Sequence, residues 1–118
     1  MTREQAIDGY VAMWNAMDGA GRRAAAENAL AEDVNVQYAS FEARNLDELV
    51  AAAESYRQDQ PHFHIERLGP AQSHRDWARF AWRLTLDNGA SHEGQTIVQF
   101  GEDGQLKQVA GFREPLEG

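Results

Sequence analysis

The chain has 118 residues, of which 42% are hydrophobic and 25% are charged, and this mixture is typical of one globular domain. Cysteine is absent, which excludes a disulfide framework, a cysteine-based zinc site and a thiol nucleophile. The formal net charge is −8 and the basic residues are scattered along the chain, so the composition argues against binding to nucleic acid.

The sequence contains neither a run of about 18 apolar residues nor the apolar stretch of a signal peptide, since it begins with the polar segment MTREQAIDGY. We therefore expect no membrane insertion and a cytoplasmic location. No internal repeat, low-complexity tract or linker divides residues 1–118, so we expect a single domain.

Two helices are predicted at the start of the chain. Thr2 and Gln5 form a capping-box pattern that begins the first helix. Gly19 and Gly21 are expected to interrupt the helical pattern before an alanine-rich second helix over 22–30. The apolar positions of the first helix recur at helical spacing and are expected to face the core: Ile7, Tyr10, Val11, Trp14 and Met17.

A short strand and a third helix follow. Alternation of Val34, Val36 and Tyr38 with polar residues predicts the strand, after which 41–44 form a second short strand or an extended loop. Asn45 begins the third helix, which Pro61 must end. The apolar stripe of this helix is Leu46, Leu49, Val50, Ala53 and Tyr56.

From His62 onward the sequence predicts strands separated by turns, with a turn over 73–76 and a tight hairpin at Asn88 and Gly89. The clearest strand directs Ala78, Phe80, Trp82, Leu84 and Leu86 to one face and Trp77, Arg79, Ala81, Arg83 and Thr85 to the other. A neighbouring strand contains Thr96, Val98 and Phe100, and the last strand spans 106–113. Three helices followed by such strands predict an α+β domain, in which helices cover a bent, mostly antiparallel sheet and enclose a cavity.

The segments YVAMWNAMD, AEDVNVQYASFEARN, RFAWRL and EDGQLKQVAGF, in this order, resemble the nuclear transport factor 2-like superfamily and in particular its SnoaL-like members. The resemblance covers nearly the whole chain. It implies a cone-shaped fold with three amino-terminal helices on a strongly curved mixed sheet, and pairing of two copies through the sheets. It also implies a ligand cavity, because such domains include ketosteroid isomerases, polyketide cyclases and epoxide hydrolases.

Two acidic positions of the family pattern are occupied by other residues in this chain. Tyr38 lies where many relatives carry an aspartate on the first strand, and Gly94 and Gln95 lead to Thr96 where an acidic residue often follows the glycine. Proton abstraction by an aspartate of the isomerase or cyclase type is therefore not expected unless another residue replaces it.

Three polar residues are predicted to act in the cavity. Strand parity places Thr96 and His92 on the same face as Phe80 and Trp82, with His92 near the cavity mouth. Tyr38 and His92 form the best available proton-transfer pair, and the Thr96 hydroxyl can orient a carbonyl. Alternatively, His92 is a solvated surface group and Tyr38 is a structural residue.

The predicted ligand-binding residues are large apolar side chains, which would pack in the core on the alternative interpretation. They are Tyr10, Trp14, Met17, Phe41, Tyr56, Phe80, Trp82 and Val98. His62, His64 and Glu66 share one side of a strand, but their spacing favours a polar outer face over a metal site. No cofactor or metal is expected, since no nucleotide-binding or Ser-His-Asp pattern is present.

The sequence thus predicts a domain that binds a hydrophobic small molecule in an aromatic pocket, with or without isomerase-, cyclase- or hydrolase-like activity. The alternative is a non-catalytic ligand-binding or dimerisation module of the same fold. Trp77 and Ala81 lie beside Arg79 and Arg83 on the opposite sheet face, which indicates either a homodimer through that face or ordinary partial exposure of the indole.

Overall fold

A computed structural model describes residues 2–113. It contains three helices: α1 (Arg3–Asn15), α2 (Gly19–Ala29) and α3 (Leu46–Asp59). The strands are β1 (Leu30–Tyr38), β2 (Phe41–Ala43), β3 (His64–Arg67), β4 (Gln72–His74), β5 (Trp77–Thr85), β6 (Ser91–Phe100) and β7 (Leu106–Arg113). The predicted α+β class is confirmed. Within residues 2–113, no helix has the length and apolar composition needed to cross a bilayer.

Helix α1 begins as predicted and ends earlier than predicted. The Thr2 hydroxyl accepts a hydrogen bond from the Gln5 backbone N–H at 3.1 Å, and the Gln5 side chain accepts one from the Thr2 N–H at 2.9 Å. Because the helix ends at Asn15, Met17 lies in the connection to α2 and is 67% exposed. The prediction that Met17 belongs to the buried stripe is therefore wrong.

The two glycines near residue 20 lie inside α2, so the prediction that they interrupt the helical pattern is also wrong. Asp18 caps this helix, and its carboxylate accepts a hydrogen bond from the Gly21 N–H at 2.6 Å. The cap offsets the low helix propensity of glycine in the first turn. The predicted cap of α3 is confirmed, since the Asn45 side chain accepts a hydrogen bond from the Glu48 N–H at 2.9 Å.

The strands form one open sheet in the order β2-β1-β7-β6-β5-β3, and β4 also pairs with β5. All pairs are antiparallel except β1 with β7, which are parallel, so the sheet is mixed as predicted. Gly89 has a φ of 87° in the β5–β6 hairpin, where that conformation favours glycine. Strand β4 occupies part of the predicted 73–76 turn, because pairing with β5 holds those exposed residues extended.

The predicted alternation of β5 is confirmed. Ala78, Phe80 and Trp82 are buried on the sheet face that the helices cover, which we call the inner face. Trp77 lies on the opposite, outer face and is 36% exposed. The core between helices and sheet is formed largely by Ile7, Met13, Leu30, Leu49, Val34, Val36, Val98 and Leu106.

Polar side chains fix the carboxyl end of α1 against the rest of the domain. Arg22 donates a hydrogen bond to the Ala16 carbonyl at 2.6 Å, and Arg57 donates one to the Trp14 carbonyl at 2.7 Å. The last carbonyls of a helix have no partner within the helix and carry partial negative charge, so both guanidinium groups stabilise this end.

Asn15 connects α1 to the edge strand β3. Its side-chain amide donates to the Ile65 carbonyl at 2.7 Å, and its amide oxygen accepts from the Ile65 N–H at 2.8 Å. This pair of bonds replaces the backbone partner that an edge strand lacks on its free side.

Asn15→Ala should destabilise the domain by about 1–3 kcal/mol, because it leaves the partly buried N–H and C=O of Ile65 without their partner. Asn15→Asp keeps only the acceptor, so its free energy of unfolding should lie between those of wild type and Asn15→Ala. Urea unfolding monitored by circular dichroism measures the difference, and equal stability of wild type and Asn15→Ala would contradict this role.

Candidate functional site

One row of residues crosses the inner face from β1 through β7 and β6 to β5. Thr96 pairs with Gly111 on one side and with Phe80 on the other, and Tyr38 lies next to Gly111. We call Tyr38, Gly111, Thr96 and Phe80 the central row. The sheet therefore brings together Tyr38 and Thr96, two of the three residues predicted to act in the site.

A continuous chain of hydrogen bonds runs along this row and into α1. The hydroxyl oxygens of Tyr10 and Tyr38 are 2.7 Å apart, and that of Tyr38 is 3.2 Å from Thr96 Oγ1. The indole Nε1–H of Trp82 donates to Thr96 Oγ1 at 2.8 Å. We call the three linked hydroxyl groups, of Tyr10, Tyr38 and Thr96, the hydroxyl chain.

The number of hydrogens in the hydroxyl chain leaves one donor free. Two hydrogen bonds join three hydroxyls and use two of the three hydroxyl hydrogens, while Trp82 can only donate. Among residues 2–113, no further acceptor is hydrogen-bonded to these hydroxyls. The third hydroxyl hydrogen is therefore available to an acceptor that is not part of the hydroxyl chain.

Two glycines bring aromatic rings close to the sheet backbone. A Cβ atom on Gly111 would lie 1.8 Å from Cε2 of Tyr38, so the phenol ring lies directly over this glycine. A Cβ atom on Gly94 would lie 2.4 Å from Cζ2 of Trp82. Any larger residue at either position would collide with the ring, and the two rings thus occupy the inner face across neighbouring strands.

Further aromatic rings surround the hydroxyl chain. The Trp14 ring makes edge contacts with Phe41, at 5.8 Å between centroids, and with Tyr56, at 6.4 Å. Phe41 also stacks on Tyr38, with centroids 5.3 Å apart and planes inclined by 13°. Phe41, Tyr56 and Tyr38 are only partly buried, so they mark the edge of the aromatic cluster.

His92 lies on the inner face, but it is not part of the hydroxyl chain. It pairs with Leu84 on β5 and stands four residues from Thr96 on β6, which is roughly 13 Å along a strand. Tyr38 is hydrogen-bonded to Tyr10 and Thr96 instead. Tyr38 and His92 are therefore not hydrogen-bonded to each other, because strand geometry separates their rows.

The remaining predicted ligand-binding residues, other than Met17, lie on or against the inner face. Phe80, Trp82 and Val98 are buried, as are Tyr10 and Trp14. Two hollows open elsewhere on the described surface. One, of about 380 Å³, lies beside Arg23, Leu46 and Gln105, and the other, of about 110 Å³, lies on the outer face beside Trp77 and Ile97.

Burial keeps both phenols of the hydroxyl chain protonated. Burial, and then the neighbouring Tyr38, raise the pKa of Tyr10 well above its ordinary value of 10.0. Burial also raises the pKa of Tyr38, while its hydrogen bonds with Thr96 and Tyr10 offset part of that rise. At neutral pH both groups are hydrogen-bond donors rather than phenolate bases.

Carboxylates are absent from the buried part of the described chain. Within residues 2–113, the buried polar or charged residues are Thr96 and Arg22. No group of three or more histidine, aspartate or glutamate side chains in this range is arranged to hold a metal ion. His64 and Glu66 are exposed, and Glu66 accepts a hydrogen bond from Arg83 at 3.1 Å.

No protein-family model and no curated protein matches the sequence. Solved structures do match. A proposed isomerase of the SnoaL-like family from Agrobacterium tumefaciens is 26% identical and covers 98% of this chain and 100% of its own, with a TM-score of 0.88. The chain shares its fold with SnoaL-like members of the nuclear transport factor 2-like superfamily.

More distant structures share the SnoaL-like fold alone. A nuclear transport factor 2-like protein of unknown function from an Exiguobacterium species is 14% identical, with a TM-score of 0.74 over 94% of this chain and 99% of its own. A proposed SnoaL-like polyketide cyclase from a Jannaschia species is 13% identical, with a TM-score of 0.72 over 93% of this chain and 85% of its own.

Sequence reasoning missed three features of this site: the role of Tyr10 in the hydroxyl chain, the contact of Gly94 with Trp82 and the contact of Gly111 with Tyr38. A glycine within a strand pattern signals close approach of another group, so Gly111 in the last strand was the available clue. The partner ring was not identifiable, because it lies on a strand distant in sequence.

The raised pKa values predict a loss of stability at alkaline pH. The folded state holds the Tyr10 and Tyr38 protons more tightly than the unfolded chain, so their contribution is complete below about pH 10 and is lost as the pH rises further. Tyr10→Phe removes one of these protons and should flatten the decline in unfolding free energy. Parallel declines of wild type and Tyr10→Phe in urea unfolding between neutral and strongly alkaline pH would contradict this assignment.

Proposed function

We propose that the chain binds a small hydrophobic molecule at the aromatic edge of the inner face, with the hydroxyl chain as the polar end of the site. The free hydroxyl hydrogen supports this proposal most directly. Tyr10 and Thr96 are 2% and 0% exposed, whereas Tyr38 is half-buried beside Phe41. Tyr38 is therefore the least buried residue of the hydroxyl chain, and we propose that the ligand meets the chain there.

The ligand should present an acceptor oxygen, such as a carbonyl, to Tyr38. When Tyr10 and Thr96 both donate to the Tyr38 oxygen, the hydrogen of the Tyr38 hydroxyl points away from the hydroxyl chain. The two hydrogen bonds that the Tyr38 oxygen accepts make its hydroxyl a stronger donor. Apolar contacts would come from Trp14, Phe41 and Tyr56.

An isomerase-, cyclase- or hydrolase-like reaction would use polar side chains at two separate places on the inner face. Tyr38, with Thr96, would stabilise charge on a ligand oxygen. His92, near the start of β6, would exchange a proton with a distant atom of the same ligand. Tyr38 and His92 therefore remain proposed catalytic residues that act on different parts of the ligand.

A non-catalytic ligand carrier is the second candidate. It is favoured by the lack of a buried carboxylate among residues 2–113, since the described interior holds no acidic general base. Solved structures of this fold include ones named as an isomerase and as polyketide cyclases, which favours the enzyme, and one of unknown function.

A thermal-shift screen with steroids, aromatic polyketides, terpenes and their epoxides should identify ligands, because binding to the folded state raises the Tm. Tyr38→Phe, which keeps the ring, should weaken binding about tenfold through loss of one hydrogen bond. Tyr56→Phe is the matched control and should bind as wild type does. Equal affinity of wild type and both variants would contradict the role of Tyr38.

Product analysis of the same mixtures separates the two candidate functions. Turnover that falls in Tyr38→Phe and in His92→Ala supports an enzyme. Saturable binding without any product supports a carrier.

We also propose a homodimer through the outer sheet face. Trp77 and Phe112 are 36% and 58% exposed there, and Ile97 and Ala110 lie between them beside a shallow hollow. Exposed apolar side chains clustered on a sheet face are typical of an interface, and a second copy would cover them. A cytoplasmic location, supported by the lack of cysteine, is proposed with it.

Sedimentation should show a dimer for the wild type and a monomer for Ile97→Glu, because the new carboxylate would be buried without a partner in the interface. Ala24→Glu, which adds the same charge on the exposed side of α2, is the control and should remain dimeric. A monomeric wild type at micromolar concentration would contradict the proposed interface.

A further inference from the structure

The Tyr38 ring lies between Phe41 at the aromatic edge and Gly111 in the sheet. One side of the ring lies over Gly111, where a Cβ atom would approach Cε2 to 1.8 Å, Cδ2 to 2.3 Å and Cζ to 2.4 Å. The ring also stacks on Phe41 at 5.3 Å. The Tyr38 ring is therefore held between the backbone at Gly111 and the Phe41 ring.

The hydroxyl end of Tyr38 is fixed independently. Hydrogen bonds to Tyr10 on α1 and to Thr96 on β6 hold the phenol oxygen from two different elements. Rotation of the ring out of its position would break both bonds and the stack on Phe41 together. The ring is therefore held in one position by contacts with several elements.

We infer that Tyr38 is a size-selecting residue of the proposed ligand site: its ring over Gly111 fills the volume that the inner part of a larger ligand would otherwise occupy. The inference rests on the proposed function, and it adds a limit on ligand size. Removing the ring should leave a phenol-shaped space lined by Gly111, Thr96, Phe41 and Tyr10. A space with an aromatic wall and two hydroxyl groups fits phenol, whose ring and hydroxyl would replace those of Tyr38.

Phenol is the probe, and Tyr38→Ala is the variant. Phenol should raise the Tm of Tyr38→Ala and bind it at least about tenfold more tightly than it binds wild type, as measured by calorimetric titration. The bulkier probe 2-naphthol should show the same preference. Met17→Ala, which removes an exposed side chain from the connection between α1 and α2, is the control and should show no such gain.

A second pair of variants tests the contact with Gly111. Gly111→Ala should lower the Tm strongly in the wild type, where the new methyl group collides with the ring, and only slightly in Tyr38→Ala, where the ring is gone. The added methyl should also weaken phenol binding to Tyr38→Ala. Equal Tm losses in the two backgrounds would overturn the inference.

Failure of Tyr38→Ala to fold alone also gives a decisive result. Recovery of its circular dichroism spectrum on addition of phenol supports the inference, and failure of phenol to restore the fold overturns it. A folded Tyr38→Ala that does not bind phenol overturns it as well. These outcomes are independent of the proposed function, whose failure is shown instead by unchanged ligand affinity in Tyr38→Phe.

Discussion

The close contact between the Tyr38 ring and Gly111 is the constraint on which the inner face depends. The ring can lie against the β7 backbone only because residue 111 has no side chain. This position brings the phenol oxygen within hydrogen-bonding distance of Thr96 on β6 and of Tyr10 on α1. One glycine thus allows a helix, the first strand and a central strand to meet at a single oxygen atom.

Packing and hydrogen bonding contribute to this arrangement in different ways. Burial of a large aromatic ring supplies most of the stabilisation, because apolar burial contributes several times the roughly 1 kcal/mol net of a neutral hydrogen bond. The hydroxyl chain specifies orientation, since leaving a buried donor unpaired costs about 1–3 kcal/mol. The hydroxyl chain has one hydroxyl hydrogen that none of its members accepts. This free donor is the basis of the proposed ligand binding.

Local patterns in the sequence were sufficient to predict most elements, because capping and alternation depend on neighbouring residues. The start of α1 at Thr2, the cap of α3 at Asn45 and the two faces of β5 follow from such patterns. Met17 was misplaced because α1 ends at Asn15, before the helical stripe reaches residue 17. Strand β4 was missed because its exposed residues are extended only through pairing with β5.

The candidate site was predictable in its residue types but not in its connections. Parity alone placed Tyr38, Thr96 and His92 on one face, and the structure agrees with that placement. Which of them touch depends on the pairing of strands far apart in sequence, and that pairing joins Tyr38 to Thr96 while leaving His92 two rows away. A hydrogen-bonded chain that involves α1 as well requires the packing of the helix on the sheet, which no sequence pattern specifies.

The central claim is that the Tyr38 ring lies inward over Gly111 with its hydroxyl linked to Tyr10 and Thr96. Nuclear magnetic resonance of the unliganded protein tests it directly. The account predicts Overhauser contacts between the Tyr38 ring protons and the α protons of Gly111, together with slowly exchanging hydroxyl protons of the linked side chains. A Tyr38 ring without contact to Gly111, and with a hydroxyl proton that exchanges as fast as that of free tyrosine, would contradict it.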